Sequence, residues 1–114
     1  MSLTAIPPKS EAIARLNDGL RQTLQGGKVM LTAAVDALPA EVKAKVLEAV
    51  RTFSDFNPDN DPHGEHDMGF FEIAGDHYLF KIDCYDKDLE FGSEEPSNPD
   101  VTTRVLTIMH ASDY

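Results

Sequence analysis

The sequence predicts an α+β protein: two amphipathic helices packed on one face of a mostly antiparallel sheet of about four strands, in the order α-β-α-β-β-β. Two segments of the first half repeat apolar residues every three or four positions, which is the helical period. The second half contains segments of alternating apolar and polar residues, which favour strands. Short turns join these late strands, so neighbours in sequence are expected to pair antiparallel, with the helices covering one face.

The first predicted helix follows Pro7-Pro8. Ser10 is its predicted N-cap, and Gly26-Gly27 is its predicted stop signal. The apolar stripe of this helix consists of Ile13, Leu16, Leu20 and Leu24. These boundaries divide the chain into an N-terminal tail, residues 1–9, and a single α+β domain, residues 10–114.

The next segment, Val29 to Val35, alternates like a strand, although its alanines also allow a helix. The second helix is expected to start at Pro39, which suits a first helical turn. Two further strands, MGFFEIA and HYLFKIDCYD, are expected to form a hairpin that turns at Gly75-Asp76. A last strand is predicted in VTTRVLTIMHA.

The negative charge is concentrated in the second half of the chain. The 114 residues carry a formal net charge of −10. Residues 1–54 contain seven Lys and Arg against five Asp and Glu, whereas residues 55–114 contain three against fifteen. An acidic protein is a poor ligand for nucleic-acid phosphates and for anionic membranes, and a basic protein is the electrostatically favoured partner.

Cellular location is predicted from the single cysteine and from the lack of a recognisable signal peptide or membrane span. Cys84 is the only cysteine, which is typical of a reducing compartment. We recognise no signal peptide at the N-terminus, that is, no basic start followed by an apolar stretch. No segment approaches the roughly 20 apolar residues of a membrane span. We therefore expect a cytoplasmic protein.

The stretch NPDNDPHGEHD, residues 57–67, suggests a metal site by its composition. An EF-hand is disfavoured because a frame starting at Asp55 places Asn60 where glycine is needed and His66 where glutamate is needed. A divalent-cation or zinc site remains as a hypothesis, since imidazole and carboxylate groups are the usual ligands. Its candidate ligands are His63, Glu65, His66, Asp67 and His77.

Two other interpretations of this stretch do not involve a metal. A histidine beside a carboxylate can perform acid–base chemistry, yet no nucleophile lies in a recognisable turn, so no catalytic residue is assigned. Alternatively, Asn and Asp side chains can bond to loop amides and simply fix the shape of the loop, which is the interpretation we favour. Arg104 is expected to form a structural ion pair with a loop acid, or else to contact an anion.

Several strings in this chain resemble a bacterial family of domains of unknown function, family 3768. They are FNPDNDPHGEHDMGFFEI, HYLFKIDCYD, GSEEPSNPD and TTRVLTIMHASDY, and the resemblance extends to the segment that begins at Gly26 and to the helix start at Ala37-Leu38-Pro39. The family implies no activity, cofactor or catalytic residue. Its association with plasmids and mobile elements implies an accessory role, such as mimicry of DNA or modulation of a basic protein.

We therefore expect a small, acidic, non-catalytic module that binds a protein partner. Its predicted partner surface includes Asp59, Asp61, Glu94 and Glu95. The alternative is a divalent-metal-binding protein, or a metal-dependent hydrolase, centred on the DPHGEHD loop.

Overall fold

The computed structural model describes residues 8–114, which form three helices and one four-stranded sheet. The helices are α1 (Pro8–Thr23), α2 (Ala33–Asp36) and α3 (Ala40–Thr52), and the strands are β1 (Lys28–Leu31), β2 (Met68–Ile73), β3 (Asp76–Tyr85) and β4 (Thr103–His110). A 3-10 turn, Ala111–Asp113, follows β4. Within residues 8–114, no helix combines the length and apolar character that a membrane crossing requires.

The sheet has the strand order β1-β4-β3-β2 and is mixed. The β2–β3 and β3–β4 pairs are antiparallel, whereas β1 runs parallel to β4. A parallel neighbour arises because the chain must cross over through α2, α3 and the hairpin before it returns beside β1. The predicted α+β class is confirmed, and two of the three strand pairs are antiparallel as expected.

The core lies between the helices and one face of the sheet. The helices contribute Leu20, Val35, Val46 and Val50, and the sheet contributes Tyr78, Phe80, Ile82, Leu106 and Ile108. All nine side chains are at most 5% exposed. The opposite sheet face is partly covered near its end, where Tyr114 packs edge-on against Phe70 with ring centroids 6.1 Å apart.

Four predicted boundaries are wrong by a few residues. The predicted strand over 29–35 ends at Leu31, and α2 begins at Ala33, since the alanines there favour a helix that buries Val35. The first helix begins at Pro8, which suits a first helical position, so Ser10 lies inside its first turn and is not an N-cap. The rest of the predicted tail lies outside the described residues.

The other two boundary errors concern positions where the backbone is left-handed. Helix α1 ends at Thr23, before the predicted glycine pair, because Leu24 adopts φ 58°. The hairpin turns at Ala74-Gly75 and not at Gly75-Asp76. Both turn residues have positive φ, 54° and 85°, which is the type I′ geometry that matches the twist of paired strands.

A close approach at Gly69 generates a stability prediction. A Cβ on Gly69 would lie 2.5 Å from the Phe80 ring and 2.8 Å from the Phe53 ring, both of which are held in the core. We expect Gly69→Ala to lower the free energy of unfolding by about 1–3 kcal/mol in a urea titration. Gly19→Ala is the control, since nothing lies within 4 Å of its added Cβ, and it should raise stability by about 0.5–1 kcal/mol. Equal stability of the two variants would contradict the packing described.

Candidate functional site

The loop between α3 and β2 is closed by its own Asn side chains. The Asn57 Oδ1 accepts hydrogen bonds from the backbone N–H groups of Asp59 and Asn60, at 2.9 and 3.1 Å. The Asn60 side chain in turn accepts from the Asn57 N–H and donates to the Asp55 carbonyl. Such side-chain bonds replace the backbone ladder that a loop lacks, so this segment has a defined shape.

Asp61 is the centre of the second half of the loop. Its side chain is buried, and its Oδ1 accepts hydrogen bonds from the N–H groups of Glu65 and His66 at 3.1 and 3.2 Å. Gly64 and His66 adopt positive φ angles of 67° and 56°, which bend the chain around this carboxylate. Asp61 is therefore an internal brace and does not belong to the predicted partner surface.

His66 points inward, toward α1. Its Nδ1 lies 3.0 Å from both carboxylate oxygens of Asp18 and donates to them, because a carboxylate can only accept. Its Nε2 lies 3.7 Å from the Asp61 carboxylate. The imidazole stacks on the Phe56 ring, with centroids 4.0 Å apart and planes 4° from parallel.

Asp18 also holds Arg21, the largest fully buried side chain in the described chain. An Arg21 Nη2 lies 2.7 Å from Asp18, and its Nη1 donates to the carbonyls of Val50 and Phe53, at 2.9 and 2.7 Å. Its guanidinium carbon lies 5.4 Å from the Phe56 ring centroid. One carboxylate on α1 thus joins the His66 loop to the C-terminal end of α3.

The five candidate metal ligands do not converge. His77 lies at the turn end of the hairpin, where its Nε2 is 3.8 Å from Glu72. The loop enters β2 beside Lys81, four residues further along β3, so His77 is about 13 Å away along the strand. His63 is exposed, and His66 is bonded to Asp18. Within residues 8–114, no three or more His, Cys, Asp or Glu side chains are placed to hold a metal ion.

Glu65 and Asp67 carry perturbed carboxyl groups. Loss of hydration, followed by the negative charge of Asp67, raises the pKa of Glu65 above its ordinary value. Loss of hydration also raises the pKa of Asp67, although much of that residue remains exposed. Both groups are therefore harder to ionise in the folded protein than in the unfolded chain.

Arg104 lies on β4 and is 3% exposed. Its Nε donates to the Asn17 amide oxygen at 2.9 Å, and its Nη2 donates to the Pro96 carbonyl. The prediction was an ion pair between Arg104 and a loop acid, but no Asp or Glu of residues 8–114 forms an ion pair with Arg104. Cys84 faces Arg104 across the β3–β4 pair, and burial raises the pKa of its thiol, so it is neutral at physiological pH.

The segment between β3 and β4 forms an open groove of about 480 Å³. Carboxylates of Asp86, Glu94 and Glu95 line it, together with Phe91 and Val101. Phe91 is 71% exposed and Val101 is 45% exposed. Two of the four predicted partner-surface residues, Glu94 and Glu95, therefore lie beside exposed apolar groups. Asp59 is exposed too, but it lies on the loop that precedes β2.

A family model described as "Protein of unknown function (DUF3768)" matches residues 31–113. The chain belongs to the DUF3768 family. The match starts at the end of β1, so the resemblance, which was predicted over the whole chain, is confirmed over residues 31–113. No curated protein and no solved structure matches the chain.

The DUF3768 match contains the loop, the groove and Arg104, whereas α1 lies outside it. Sequence reasoning missed three residues of α1 that contact these features: Asn17, Asp18 and Arg21. A signal for two of them was present, since Asn17 and Arg21 follow Ile13 at successive steps of four and so lie on the face of α1 that is buried. A polar residue at such a position indicates a buried hydrogen-bond network.

The His66 contacts predict a specific pattern of stability changes. His66→Ala removes the bond to Asp18 and the stacking on Phe56, and it places alanine at a left-handed backbone position. We expect the free energy of unfolding to fall by about 2–3 kcal/mol in urea titrations. His66→Asn should lose about 1 kcal/mol, because asparagine tolerates this backbone conformation. His63→Ala, the exposed control in the same loop, should stay within about 0.5 kcal/mol of wild type; a matching loss there would contradict the assignment.

The raised carboxyl pKa values predict a pH dependence. An acid whose pKa is raised on folding destabilises the fold above that pKa, and the penalty disappears as the pH falls to the ordinary value. The double variant Glu65→Gln/Asp67→Asn should therefore melt at a higher temperature than wild type at pH 7, and the difference should shrink as the pH falls toward 4. Thermal unfolding followed by circular dichroism measures this. Asp59→Asn controls for the loss of one exposed charge. A difference in melting temperature between the double variant and wild type that does not depend on pH would contradict the prediction.

Proposed function

We propose that this DUF3768 protein is a non-catalytic cytoplasmic module that binds a cationic segment of a partner protein in the groove between β3 and β4. The observation that carries the proposal is the combination of exposed Phe91 and Val101 with three lining carboxylates. Lys and Arg side chains combine an aliphatic stem with a cationic head, so a groove of this composition suits them. The accessory role implied by the family resemblance is consistent with such a module.

The groove is pre-formed by backbone hydrogen bonds, which favours binding because little order has to be created. The N–H of Asp86 donates to the Phe91 carbonyl at 2.8 Å, and the N–H of Ser93 donates to the Cys84 carbonyl at 2.9 Å. The Ser93 hydroxyl lies 2.6 Å from the Thr102 hydroxyl, which connects the two ends of the segment. Phe91 is thus presented on a folded loop.

The charge around the groove suits a cation. Residues 86–101 contain one lysine and six acids, namely Asp86, Asp88, Glu90, Glu94, Glu95 and Asp100. Lys9 already supplies one cation in cis: its Nζ lies 2.9 Å from Glu95, and this contact with Lys9, together with a bond from Ser97, holds the pKa of Glu95 below its ordinary value. The Lys9 side chain is 74% exposed, and such a surface pair is weak enough for a partner's lysine to replace it.

The aromatic and acidic parts should contribute differently to binding. Phe91 is exposed in the groove and can contact an aliphatic stem or a cation at short range. The carboxylates act over a longer range and should mainly increase the association rate at low salt. A partner recognised only by net charge would not depend on Phe91.

Fluorescence anisotropy with a labelled peptide of alternating Lys and Leu tests the proposal. We expect Phe91→Ala to weaken binding about tenfold at 0.15 M salt, as for a central aromatic contact. Glu94→Gln should weaken it about two- to fivefold, and less so at 0.5 M salt.

The matched control is Asp59→Asn, which removes one exposed charge outside the groove. We expect this variant to bind the peptide as wild type does. Equal losses for Asp59→Asn and Glu94→Gln, with no loss for Phe91→Ala, would mean that the peptide responds to overall charge and that the groove is not the binding site. An acidic peptide of the same length provides the ligand control and should not bind.

A further inference from the structure

A second pocket, of about 350 Å³, lies between α1 and the segment that leads into β4. Its lining includes three cationic residues, Arg15, Lys87 and Arg104, and none of the acids of residues 8–114. The whole chain has only ten Lys and Arg against twenty Asp and Glu, so three bases at one pocket are a pronounced local excess. Leu16 and Leu20 add an apolar wall.

Arg104 is the residue that points to a ligand. The Arg104 residue is 3% exposed, and it takes part in none of the ion pairs of residues 8–114. Its two assigned hydrogen bonds go to neutral oxygens, those of Asn17 and Pro96. A buried charge without a counter-charge is unfavourable, and burial accordingly lowers the pKa of Arg104. Its remaining terminal nitrogen, Nη1, has no hydrogen-bond acceptor among the described residues and is not fully buried.

The other buried arginine provides an internal comparison. Arg21 has Asp18 as its counter-charge at 2.7 Å and lies between aromatic rings. Among the described residues, Arg104 has neither an ion-pair partner nor an aromatic ring against its guanidinium, and the group opposite it in the sheet is the neutral thiol of Cys84. The fold therefore neutralises one buried guanidinium and leaves the second one open toward a pocket with two further cations.

We propose that this pocket binds a small phosphate monoester. Three cations suit a group with more than one negative charge, and the Nη1 group of Arg104 can donate a charge-assisted hydrogen bond to a phosphate oxygen. The apolar wall formed by Leu16 and Leu20 receives the organic part of the ester. Arg15 and Lys87 are exposed and supply charge at the rim, while Arg104 lies at the buried end.

Titrations of the full chain, followed through backbone amide resonances by nuclear magnetic resonance, test this site. The probes are inorganic phosphate and phenyl phosphate, each compared with sodium chloride at equal ionic strength. We expect the amides of Gly19, Gly26 and Thr102, which line the pocket, to shift with both phosphates and not with chloride. Phenyl phosphate should bind more tightly than inorganic phosphate, because its ring contacts the apolar wall.

Variants at the rim carry the test, since replacing buried Arg104 endangers the fold. Arg15→Gln and Lys87→Gln should each weaken phenyl phosphate binding about tenfold, the usual effect of losing one charged contact. Lys45→Gln, an exposed lysine on α3 away from the pocket, is the matched control and should bind as wild type does. Arg104→Lys, if folded by circular dichroism, should lose more affinity than either rim variant.

Three results would overturn the proposal: chloride shifting the same amides as phosphate, rim variants binding as tightly as the Lys45→Gln control, or shifts that map elsewhere. The site is independent of the groove between β3 and β4. Phe91→Ala should leave phosphate binding unchanged, and Arg15→Gln should leave Phe91-dependent peptide binding in place, so failure of one proposal is distinguishable from failure of the other.

Discussion

The described structure depends most on one buried interaction, the placement of Arg21 between α1 and the end of α3. Its guanidinium donates to two carbonyls near the last turn of α3, those of Val50 and Phe53, where the helix dipole is negative and the carbonyls lack helical partners. Asp18 balances its charge. Lysine has no planar fork with which to serve several acceptors at once, so an arginine is required here.

This interaction also determines what the acidic loop can do. Because Asp18 is held by Arg21, it presents its oxygens to His66 in a fixed position, and His66 in turn anchors the loop that contains Asp61. Asn17, one residue earlier on α1, donates to the Glu65 carbonyl at 2.9 Å. The histidine and the central aspartate are thereby occupied by structural bonds, while Asp67 and His63 remain toward solvent. The residues that suggested a metal site are therefore divided: some hold the loop in shape and the others lie at the surface.

Local patterns explain why the elements were predictable and why their contacts were not. The helical period, the alternation of β3 and the glycine at the hairpin are short-range features, and each located its element to within a few residues. The inward orientation of His66 depends on Asp18, which is 48 residues earlier in the chain. The parallel β1–β4 pair likewise joins Lys28 to Val105. Such long-range partners leave no mark on local periodicity, although the polar Asn17 and Arg21 on the buried face of α1 were a usable hint.

The contacts of the acidic side chains within the protein change how the charge asymmetry of the sequence is interpreted. Asp18 and Asp61 are bonded inside the protein and hold the loop. Six of the other eighteen acids lie in the segment between β3 and β4. That segment separates two surfaces of opposite character: the groove with Phe91 and Glu94 on one side, and the pocket with Lys87 and Arg104 on the other. A single connecting segment therefore lines both the groove and the pocket.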